Sequence, residues 1–204
     1  MSANAPSDLL ALIHGRRGHF QLESGHHGEL WLDLDTLFLR PARLVPFVKD
    51  LARRIADAVD PDAVCGPLLG GGLIASAVAT LLDIELYVAE PVAMAGGGGD
   101  ELFRARYSVP EETRGRLPGR RVAVVDDVMN AASAVRATVS DIRAAGADVV
   151  AIGALLVLGS SAAGYAEHEG FPLVHTAAVA NRIWEPSACP LCAAAQSLEY
   201  PGRR

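Results

Sequence analysis

Two adjacent aspartates, Asp126 and Asp127, follow an apolar run over residues 122–125 and precede a tract of small residues. In an open parallel sheet, ligands bind beyond the carboxyl ends of the strands, where loops meet the starts of helices. Two aspartates in the middle of a strand would point to opposite faces, but where the chain leaves the sheet both carboxylates can face one ligand. There they can accept hydrogen bonds from two neighbouring hydroxyl groups or help to hold Mg²⁺.

The turn after the two acids offers backbone N–H groups at the start of a helix, and such groups bind phosphate. It consists of Met129, Asn130, Ala131, Ala132, Ser133 and Ala134. Carboxylates that hold a sugar diol beside amides that hold a phosphate describe a site for ribose 5-phosphate. The alternative is that Asp126 and Asp127 only cap the next helix, since acids are common near helix N-termini. Paired acids at strand ends also occur in receiver-like and metal-dependent α/β folds.

A second candidate loop lies in CGPLLGGGLIASAVA, residues 65–79, which combines a strand, a glycine-rich turn and a helix. Glycines allow the backbone to approach a pyrophosphate and to direct amides at it. The stretch matches neither a P-loop nor the dinucleotide-binding glycine motif. A tight turn that lets the helix pack closely on the sheet is the alternative interpretation.

The elements that must position these loops follow from the hydrophobic periodicity. Apolar residues at a spacing of three and four over residues 41–59 predict a helix, and Pro41 suits its first turn. Strands that alternate with helices predict an α/β fold, with a mostly parallel sheet and helices on both faces. The other predicted helices cover residues 72–82 and 131–145, and the predicted strands cover residues 62–66, 84–90, 121–125, 148–158 and 172–179.

The N-terminal segment and one internal loop complete the pattern. Residues 7–14 predict a short helix capped by Ser7. A turn at Ser24 and Gly25 precedes a half-buried strand, because apolar and polar residues alternate over residues 30–35. Residues 93–101, AMAGGGGDE, predict a mobile loop, since four consecutive glycines hold regular structure only at a high entropic cost.

Composition excludes several classes of partner. The chain has 204 residues, a formal net charge of −6 and 50% hydrophobic residues. It lacks the basic field that a nucleic-acid or anionic-membrane surface requires, so we expect neither partner. The longest apolar run, residues 149–158, is well short of the roughly 20 residues that cross a bilayer, and no signal-like segment is evident, which predicts a cytoplasmic protein. Because Lys49 is the only lysine, an anion site must use arginine, backbone amides or a metal.

The cysteines and histidines raise the question of a metal site. Three cysteines do not suggest a secreted disulfide scaffold, so we expect reduced thiols. Cys189 and Cys192 form a Cys-x-x-Cys pair, but a structural zinc site takes four ligands. With only Cys65 and scattered histidines besides, we expect such a site only if two chains share it, and the alternative is a hairpin turn without metal. His26 and His27 are adjacent on a strand and should point apart, which favours a turn or ligand-binding role over metal binding.

Taken together, these segments resemble the type I phosphoribosyltransferases. The signature of that group for phosphoribosyl pyrophosphate (PRPP) is a run of apolar residues, two acids and a turn of small and hydroxyl residues, as in VAVVDDVMNAASAVRATV. The opening HFQLESGHHGELWLDLDTLFLRP is similar to that of the orotate phosphoribosyltransferases within the group. The tail WEPSACPLCAAAQSLEYPG looks like the carboxyl end of a bacterial branch of the same enzymes. The resemblance covers nearly the whole chain.

The resemblance implies a single domain over residues 1–204 with the type I phosphoribosyltransferase fold. Residues 1–40 and the tail 181–204 would form a small hood over an α/β core of residues 41–180. It also implies a pentosyltransferase, in which a nucleobase nitrogen displaces pyrophosphate from C1 of the sugar of PRPP. Orotate is the first candidate for the base, Mg²⁺ is the implied cofactor, and the implied assembly is a homodimer.

The resemblance also assigns residues. Asp126 and Asp127 become the catalytic residues that contact the ribose hydroxyls of PRPP, and the turn from Met129 to Ala134 holds its 5-phosphate. Arg104 and Arg106 stand in for the lysine and histidine that the mobile loop of the family brings to the pyrophosphate, since arginine binds phosphate through two donors. The loop that holds the pyrophosphate itself consists of Leu68, Leu69, Gly70 and Gly71.

Departures from the family pattern leave a second hypothesis open. The base is expected near Glu23, His26 and His27, but orotate enzymes usually carry a lysine where Glu23 stands and an Asp-Arg pair near residues 158–159. The position of Ala132 is usually glycine, and alanine would be strained there if the backbone needs a positive φ. The alternative function is therefore a weakly active or inactive relative that binds PRPP or a nucleotide as a sensor.

Overall fold

The computed structural model describes residues 6–22, 24–34, 36–92 and 106–201. The predicted roles of Glu23 and Arg104 and the predicted loop over residues 93–101 lie outside these ranges. The helices are α1 (Pro6–Leu10), α2 (Val45–Val59), α3 (Gly70–Leu82), α4 (Glu111–Arg114), α5 (Ser133–Ala144), α6 (Ser161–Glu169) and α7 (Pro190–Ala193). The strands are β1 (His14–Gln21), β2 (His27–Asp33), β3 (Ala63–Pro67), β4 (Glu85–Val92), β5 (Arg106–Ser108), β6 (Arg121–Met129), β7 (Asp148–Leu158), β8 (Leu173–Val179) and β9 (Ile183–Trp184).

Six of these strands form the central sheet, in the order β5-β4-β3-β6-β7-β8. All its neighbours run parallel except β5, which is antiparallel to β4 at one edge. A parallel sheet covered on both faces needs nearly continuous apolar strands. Accordingly, every residue of β3 is buried, and β7 is buried from Ala151 to Leu158. The predicted α/β fold with a mostly parallel sheet is confirmed.

Helices cover both faces of this sheet and hold its strand ends in place. On one face, α2 and α3 bury residues such as Leu51 and Ile74 against β6 and β7. On the other face, α5 and α6 bury Val139 and Ala162 against β3, β6 and β7. Burying a side chain the size of Leu51 contributes roughly 1.5–3 kcal/mol, so two such layers make a firm base for the loops at the sheet edge.

The four predicted helices all have different bounds in the structure, and the two nearest the N-terminus differ most. The helix predicted over residues 7–14 ends at Leu10, and His14 already belongs to β1, because this segment pairs with β2. The helix predicted from residue 41 begins at Val45, after a separate 3₁₀ turn at Pro41–Arg43. Pro46 accounts for this second difference, since its ring and missing N–H are tolerated only in the first turn of an α-helix.

A second, smaller sheet has the order β1-β2-β9 and is antiparallel throughout. It joins early and late parts of the chain, because β9 follows the whole central sheet in sequence. Glu199 extends the connection: the Gln21 N–H donates to its carbonyl at 2.9 Å, and its N–H donates to the His19 carbonyl at 2.8 Å. Within the described ranges, no helix is both long and apolar enough to cross a bilayer.

Candidate active site

A cleft of about 620 Å³ opens where the carboxyl edge of the central sheet faces the small sheet. Most of its walls come from three places: the β3–α3 loop, the β6–α5 turn, and the small sheet with the segments that flank β2. Tyr107 of β5 and Leu158 of β7 complete them. The described residues of its lining are Leu22, Ser24, Leu30, Trp31, Leu32, Leu34, Phe38, Pro67, Leu68, Leu69, Gly70, Tyr107, Asp126, Asp127, Val128, Asn130, Ala131, Ala132, Ser133, Ala134 and Leu158.

Asp126 and Asp127 lie inside a strand, which corrects the prediction that β6 ends at residue 125. On the β7 side, pairing continues past the acids, with Asp126 opposite Ala154 and Met129 opposite Val157. On the β3 side, the last pair joins Val124 to Cys65. The strand therefore continues with one edge paired and the other open, and the acids lie along the open part.

The carboxylates are held by their own backbone and reach the start of α3. Asp126 Oδ1 accepts the Asp127 N–H at 3.0 Å, and Asp127 Oδ1 accepts the Val128 N–H at 2.7 Å. A Cβ added at Gly71 would lie 2.8 Å from Asp126 Oδ1, and one added at Gly70 would overlap the Asp127 carboxylate. The positive end of the α3 dipole thus lies beside two like charges, which lowers the cost of placing them together.

The β3–α3 loop meets the acids through its glycines. The Leu68 N–H donates to the Ala89 carbonyl at 2.8 Å, and the Leu68–Leu69 peptide bond is cis. Leu69 is 69% exposed at the helix start, and α3 begins at Gly70, two residues earlier than predicted. Because the first N–H groups of a helix have no intrahelical partner, this turn supplies donors to the cleft.

The β6–α5 turn contains a residue in a strained backbone conformation. Ala132 adopts φ 59° and ψ 25°, in the left-handed region, and is buried. Its carbonyl accepts the Arg136 N–H at 2.9 Å, so this conformation is the one that starts α5. Ser133 is the first residue of that helix and is exposed to the cleft. An alanine therefore occupies a backbone position that favours glycine.

Comparison with known proteins assigns the chain to a family. No protein-family model matches it. The orotate phosphoribosyltransferase of Phenylobacterium zucineum is 32% identical over 191 residues, which cover 93% of this chain and 90% of the relative. The chain belongs to the orotate phosphoribosyltransferase family. The member from Acidithiobacillus ferrooxidans is 28% identical over 202 residues, which cover 95% of this chain and 91% of the relative.

Solved structures agree on the fold of this family, which is a family of pentosyltransferases. The crystal structure of orotate phosphoribosyltransferase from Aeropyrum pernix matches with a TM-score of 0.62 and 23% identity, over 83% of this chain and 89% of that one. An adenine phosphoribosyltransferase from Thermoanaerobacter pseudethanolicus matches with a TM-score of 0.65 and 14% identity, over 86% and 100% of the two chains. The type I phosphoribosyltransferase fold is therefore shared beyond the orotate family.

The cleft gathers most, but not all, of the residues that the family resemblance assigns. It is lined by both acids, by the loop from Leu68 to Gly70 and by the turn from Asn130 to Ala134. Gly71 is outside the described lining but lies against the Asp126 carboxylate. Met129, by contrast, is buried in the apolar layer under α5. Arg106 is exposed on β5 beside Tyr107 and is not part of the described lining.

His26 and His27 also lie outside the described lining of the cleft, and they point apart, as adjacent residues of an extended chain do. His26 contacts the Ser24 hydroxyl at 3.1 Å and the Glu185 carboxylate at 3.0 Å. His27 is buried and contacts His19 and Cys192 instead. Burial, with the neighbouring His19 second, lowers the pKa of His27, which favours its neutral ring.

The Cys-x-x-Cys pair has two histidines beside it within the same chain. One ligand atom from each of His19, His27, Cys189 and Cys192 lies within 4.8 Å of the other three. The expectation that four ligands would require two chains is therefore wrong. Sequence reasoning missed His19, because 170 residues separate it from Cys189 and nothing local marks the two as neighbours.

Proposed function

We propose that this chain transfers the phosphoribosyl group of PRPP to a nucleobase and releases pyrophosphate. In this reaction the sugar C1 loses its bond to a pyrophosphate oxygen and gains a bond to a base nitrogen. One observation carries the proposal: Asp126 and Asp127 share one cleft with two helix starts, those of α3 and α5. A diol, a monophosphate and a pyrophosphate each find suitable partners there.

The two acids and the α5 turn suit the ribose phosphate half of PRPP. Carboxylates only accept hydrogen bonds when ionised, so Asp126 and Asp127 are matched to the two hydroxyl donors of a ribose. The N–H groups that start α5, with the Ser133 hydroxyl, are matched to the 5-phosphate. Fixing the sugar at both ends holds C1 in place while its bonds exchange.

The α3 side suits the pyrophosphate, with help from a cation. Among the described residues of the cleft lining the charged ones are Asp126 and Asp127, both negative, so no positive side chain of that lining faces the departing anion. Magnesium is commonly bound by one or two carboxylates together with substrate phosphates, and these two acids fit that donor set. Bound there, Mg²⁺ would neutralise charge on the pyrophosphate as it leaves. Arg104 and Arg106 are proposed to supply further positive charge.

The small-sheet side suits a flat base. Trp31 and Phe38 face the cleft among leucines, and aromatic and apolar surface packs well on the faces of a planar ring. Ser24 lies at the same wall and can hydrogen-bond the edge of a base. Orotate is the first candidate, because the relatives from Phenylobacterium zucineum and Acidithiobacillus ferrooxidans carry its name.

A second candidate function is a sensor that binds PRPP or a nucleotide with little or no turnover. Ala132 favours it, because its left-handed backbone carries strain and its methyl group occupies a position where the family usually has none. Both functions use the same two acids, so only a comparison of binding with turnover separates them.

We also propose that the chain forms a homodimer and is located in the cytoplasm, as the family resemblance implies. Light scattering coupled to size exclusion gives the mass in solution directly, and a monomer at micromolar concentration would contradict the dimer.

The decisive experiment measures PRPP binding and base consumption on the same protein. With Mg²⁺, PRPP and orotate, we expect orotate to be consumed and pyrophosphate to be released in equal amounts. Asp126→Asn and Asp127→Asn should each lower kcat/KM by about 100-fold or more, since each removes a charged acceptor from the sugar. The same two variants should weaken PRPP binding measured by calorimetry.

Asp148→Asn is the matched control, because this acid lies at the start of β7, at the opposite edge of the sheet. It should leave kcat/KM within about twofold of the parent, as expected of a surface change remote from the ligand. PRPP binding without turnover of orotate or any other base, weakened by the two cleft variants, would support the sensor. No PRPP binding at all would contradict both functions.

A further inference from the structure

Four side chains from distant parts of the chain converge beneath the small sheet. We refer to His19, His27, Cys189 and Cys192 as the His-Cys cluster. His19 lies on β1 and His27 on β2, while the cysteines flank the start of α7. His19 Nε2 lies 3.1 Å from His27 Nδ1, 3.4 Å from Cys189 Sγ and 3.7 Å from Cys192 Sγ, and His27 Nδ1 lies 3.2 Å from Cys192 Sγ.

The hydrogen bonding of His19 fixes which of its nitrogens faces the cluster as an acceptor. Its Nδ1 lies 2.9 Å from the Gln196 carbonyl, which can only accept, so Nδ1 must carry the proton. In the neutral ring Nε2 then presents a lone pair to the three other ligand atoms. A backbone carbonyl that orients the far nitrogen is the usual companion of a metal-bound histidine.

The spacing of the four atoms matches a tetrahedral centre. Zinc binds imidazole nitrogen at about 2.0–2.1 Å and thiolate sulfur at about 2.3 Å, so a tetrahedron of two of each has edges of about 3.3–3.8 Å. Four of the six distances between these atoms range from 3.1 to 3.7 Å, and all four atoms lie within 4.8 Å of one another, so small shifts of the side chains would close the tetrahedron. Two thiols and two imidazoles are also the donor set that structural zinc sites use.

We propose that the His-Cys cluster is a structural zinc site contained in one chain. Three of its members are buried and Cys192 is exposed, which gives a closed site with a path for metal entry. The ion would cross-link strands β1 and β2 to helix α7. The site is separate from the cleft, and the proposal stands whether or not the chain transfers phosphoribosyl groups.

The small sheet has a physical need for such a cross-link. Its third strand, β9, has only two residues, and a two-stranded hairpin on its own is marginally stable in water. His19 and His27 are buried polar side chains of this sheet, at 1% and 5% exposure. If the metal binds only the folded state, its binding free energy adds to the stability of this sheet.

The test measures metal in the full chain, purified with a reducing agent and without chelators. Elemental analysis should find about one zinc per chain. After removal of zinc, Co²⁺ should produce the sulfur-to-cobalt charge-transfer band in the near ultraviolet and the intense visible bands of a tetrahedral centre. Cys192→Ser should lower zinc affinity at least tenfold and weaken the charge-transfer band. Because Cys192 is exposed, this substitution should leave the fold intact.

Cys65→Ser is the matched control, since Cys65 is a buried cysteine of the central sheet, remote from the cluster. It should keep the zinc content and the cobalt spectrum of the parent, and Cys192→His, which restores a ligand, should recover zinc binding. A parent protein that retains no zinc and gives no tetrahedral cobalt spectrum under reducing conditions would overturn the proposal. Equal zinc affinity in Cys192→Ser and Cys65→Ser would overturn it as well.

Discussion

Two helices, α3 and α5, start at the cleft, and their first turns place different residues beside it. At α3 the chain places Gly70 and Gly71 against the carboxylates of Asp127 and Asp126. At α5 it places Ala132 in a left-handed conformation that would suit glycine. The first turn has no room for a side chain, whereas the second has room for a methyl group but a backbone that disfavours one.

This difference distinguishes two reasons why glycine is favoured at a helix start that faces a cleft. In the α3 turn the reason is space, and adding a methyl group at Gly70 displaces the Asp127 carboxylate. In the α5 turn the reason is conformation, and a methyl group costs backbone energy while the neighbouring groups stay in place. Adding a methyl group at Gly70 or Gly71 should therefore reduce function sharply, and removing the methyl group of Ala132 should change it little.

The largest effect is expected from Gly70→Ala. Its new methyl group would overlap the Asp127 carboxylate, which is the end of a short side chain and can rotate away. We therefore expect kcat/KM, or PRPP affinity if there is no turnover, to fall about 100-fold, while the free energy of unfolding changes by about 1 kcal/mol or less. Steady-state kinetics, calorimetry and urea unfolding measure the three quantities.

Gly164→Ala provides the control, because Gly164 lies inside α6 with nothing within 4 Å of an added Cβ. It should stabilise the protein by about 0.5–1 kcal/mol through helix propensity and leave function unchanged. If Gly70→Ala behaves like Gly164→Ala, the close approach between α3 and Asp127 has no functional importance.

Ser133→Ala should have an intermediate effect. Ser133 supplies the hydroxyl group of the α5 turn, and a hydrogen bond to a charged phosphate is worth roughly 1.5–3 kcal/mol. We expect PRPP affinity to fall at least tenfold, with stability within about 0.5 kcal/mol of the parent because Ser133 is exposed. Ser140→Ala, at an exposed position of the same helix, should leave affinity unchanged, and an equal loss in both variants would exclude a specific phosphate contact.

Ala132→Gly should have the smallest effect on PRPP affinity, and its stability should change little because three contributions nearly cancel. Relief of the left-handed strain gains about 1–2 kcal/mol. The greater freedom of glycine in the unfolded chain costs about 0.5–1 kcal/mol, and loss of the buried methyl group costs about 0.8 kcal/mol. We expect a net change below about 1 kcal/mol, together with a rise of a few-fold in PRPP affinity as the amides become easier to reach.

Ala131→Gly tests whether the gain in PRPP affinity is due to the left-handed conformation of Ala132. Ala131 is not among the described residues with positive φ, so glycine relieves no strain there and should cost about 0.5–1 kcal/mol. Equal changes in affinity for the two variants would show that general flexibility of the turn, and not its left-handed residue, controls binding.

The sequence predicted the layers of the fold and the main features of the cleft because these depend on local patterns. The apolar run of β7 marks a doubly covered strand, and its predicted bounds are confirmed at Asp148 and Leu158. The paired acids and the glycine loop stood out because their residue types are costly without a ligand or a close packing contact. The family pattern indicates only that Ala132 is strained if its φ is positive, and the backbone of the structure supplies that φ.

Other features depend on contacts that local patterns do not contain. Strand β6 extends beyond its predicted end because its last residues, from Asp126 on, pair with β7 but not with β3. Pairing along one edge of a strand produces no recognisable sequence pattern. Strand β1, HGRRGHFQ, lacks apolar alternation and was not predicted, since it gains its place by pairing with β2. His19 joined the His-Cys cluster through the same strand, so missing β1 also meant missing the fourth ligand.

The small sheet can be completed only late in the synthesis of the chain. Strands β1 and β2 are made before the central sheet, whereas β9 and Glu199, which complete their sheet, are made after it. During most of translation the early strands therefore present open backbone edges, which are prone to pair with other chains. We expect ribosome-bound chains that stop before residue 183 to fold the central sheet while still exposing β2 to chaperones.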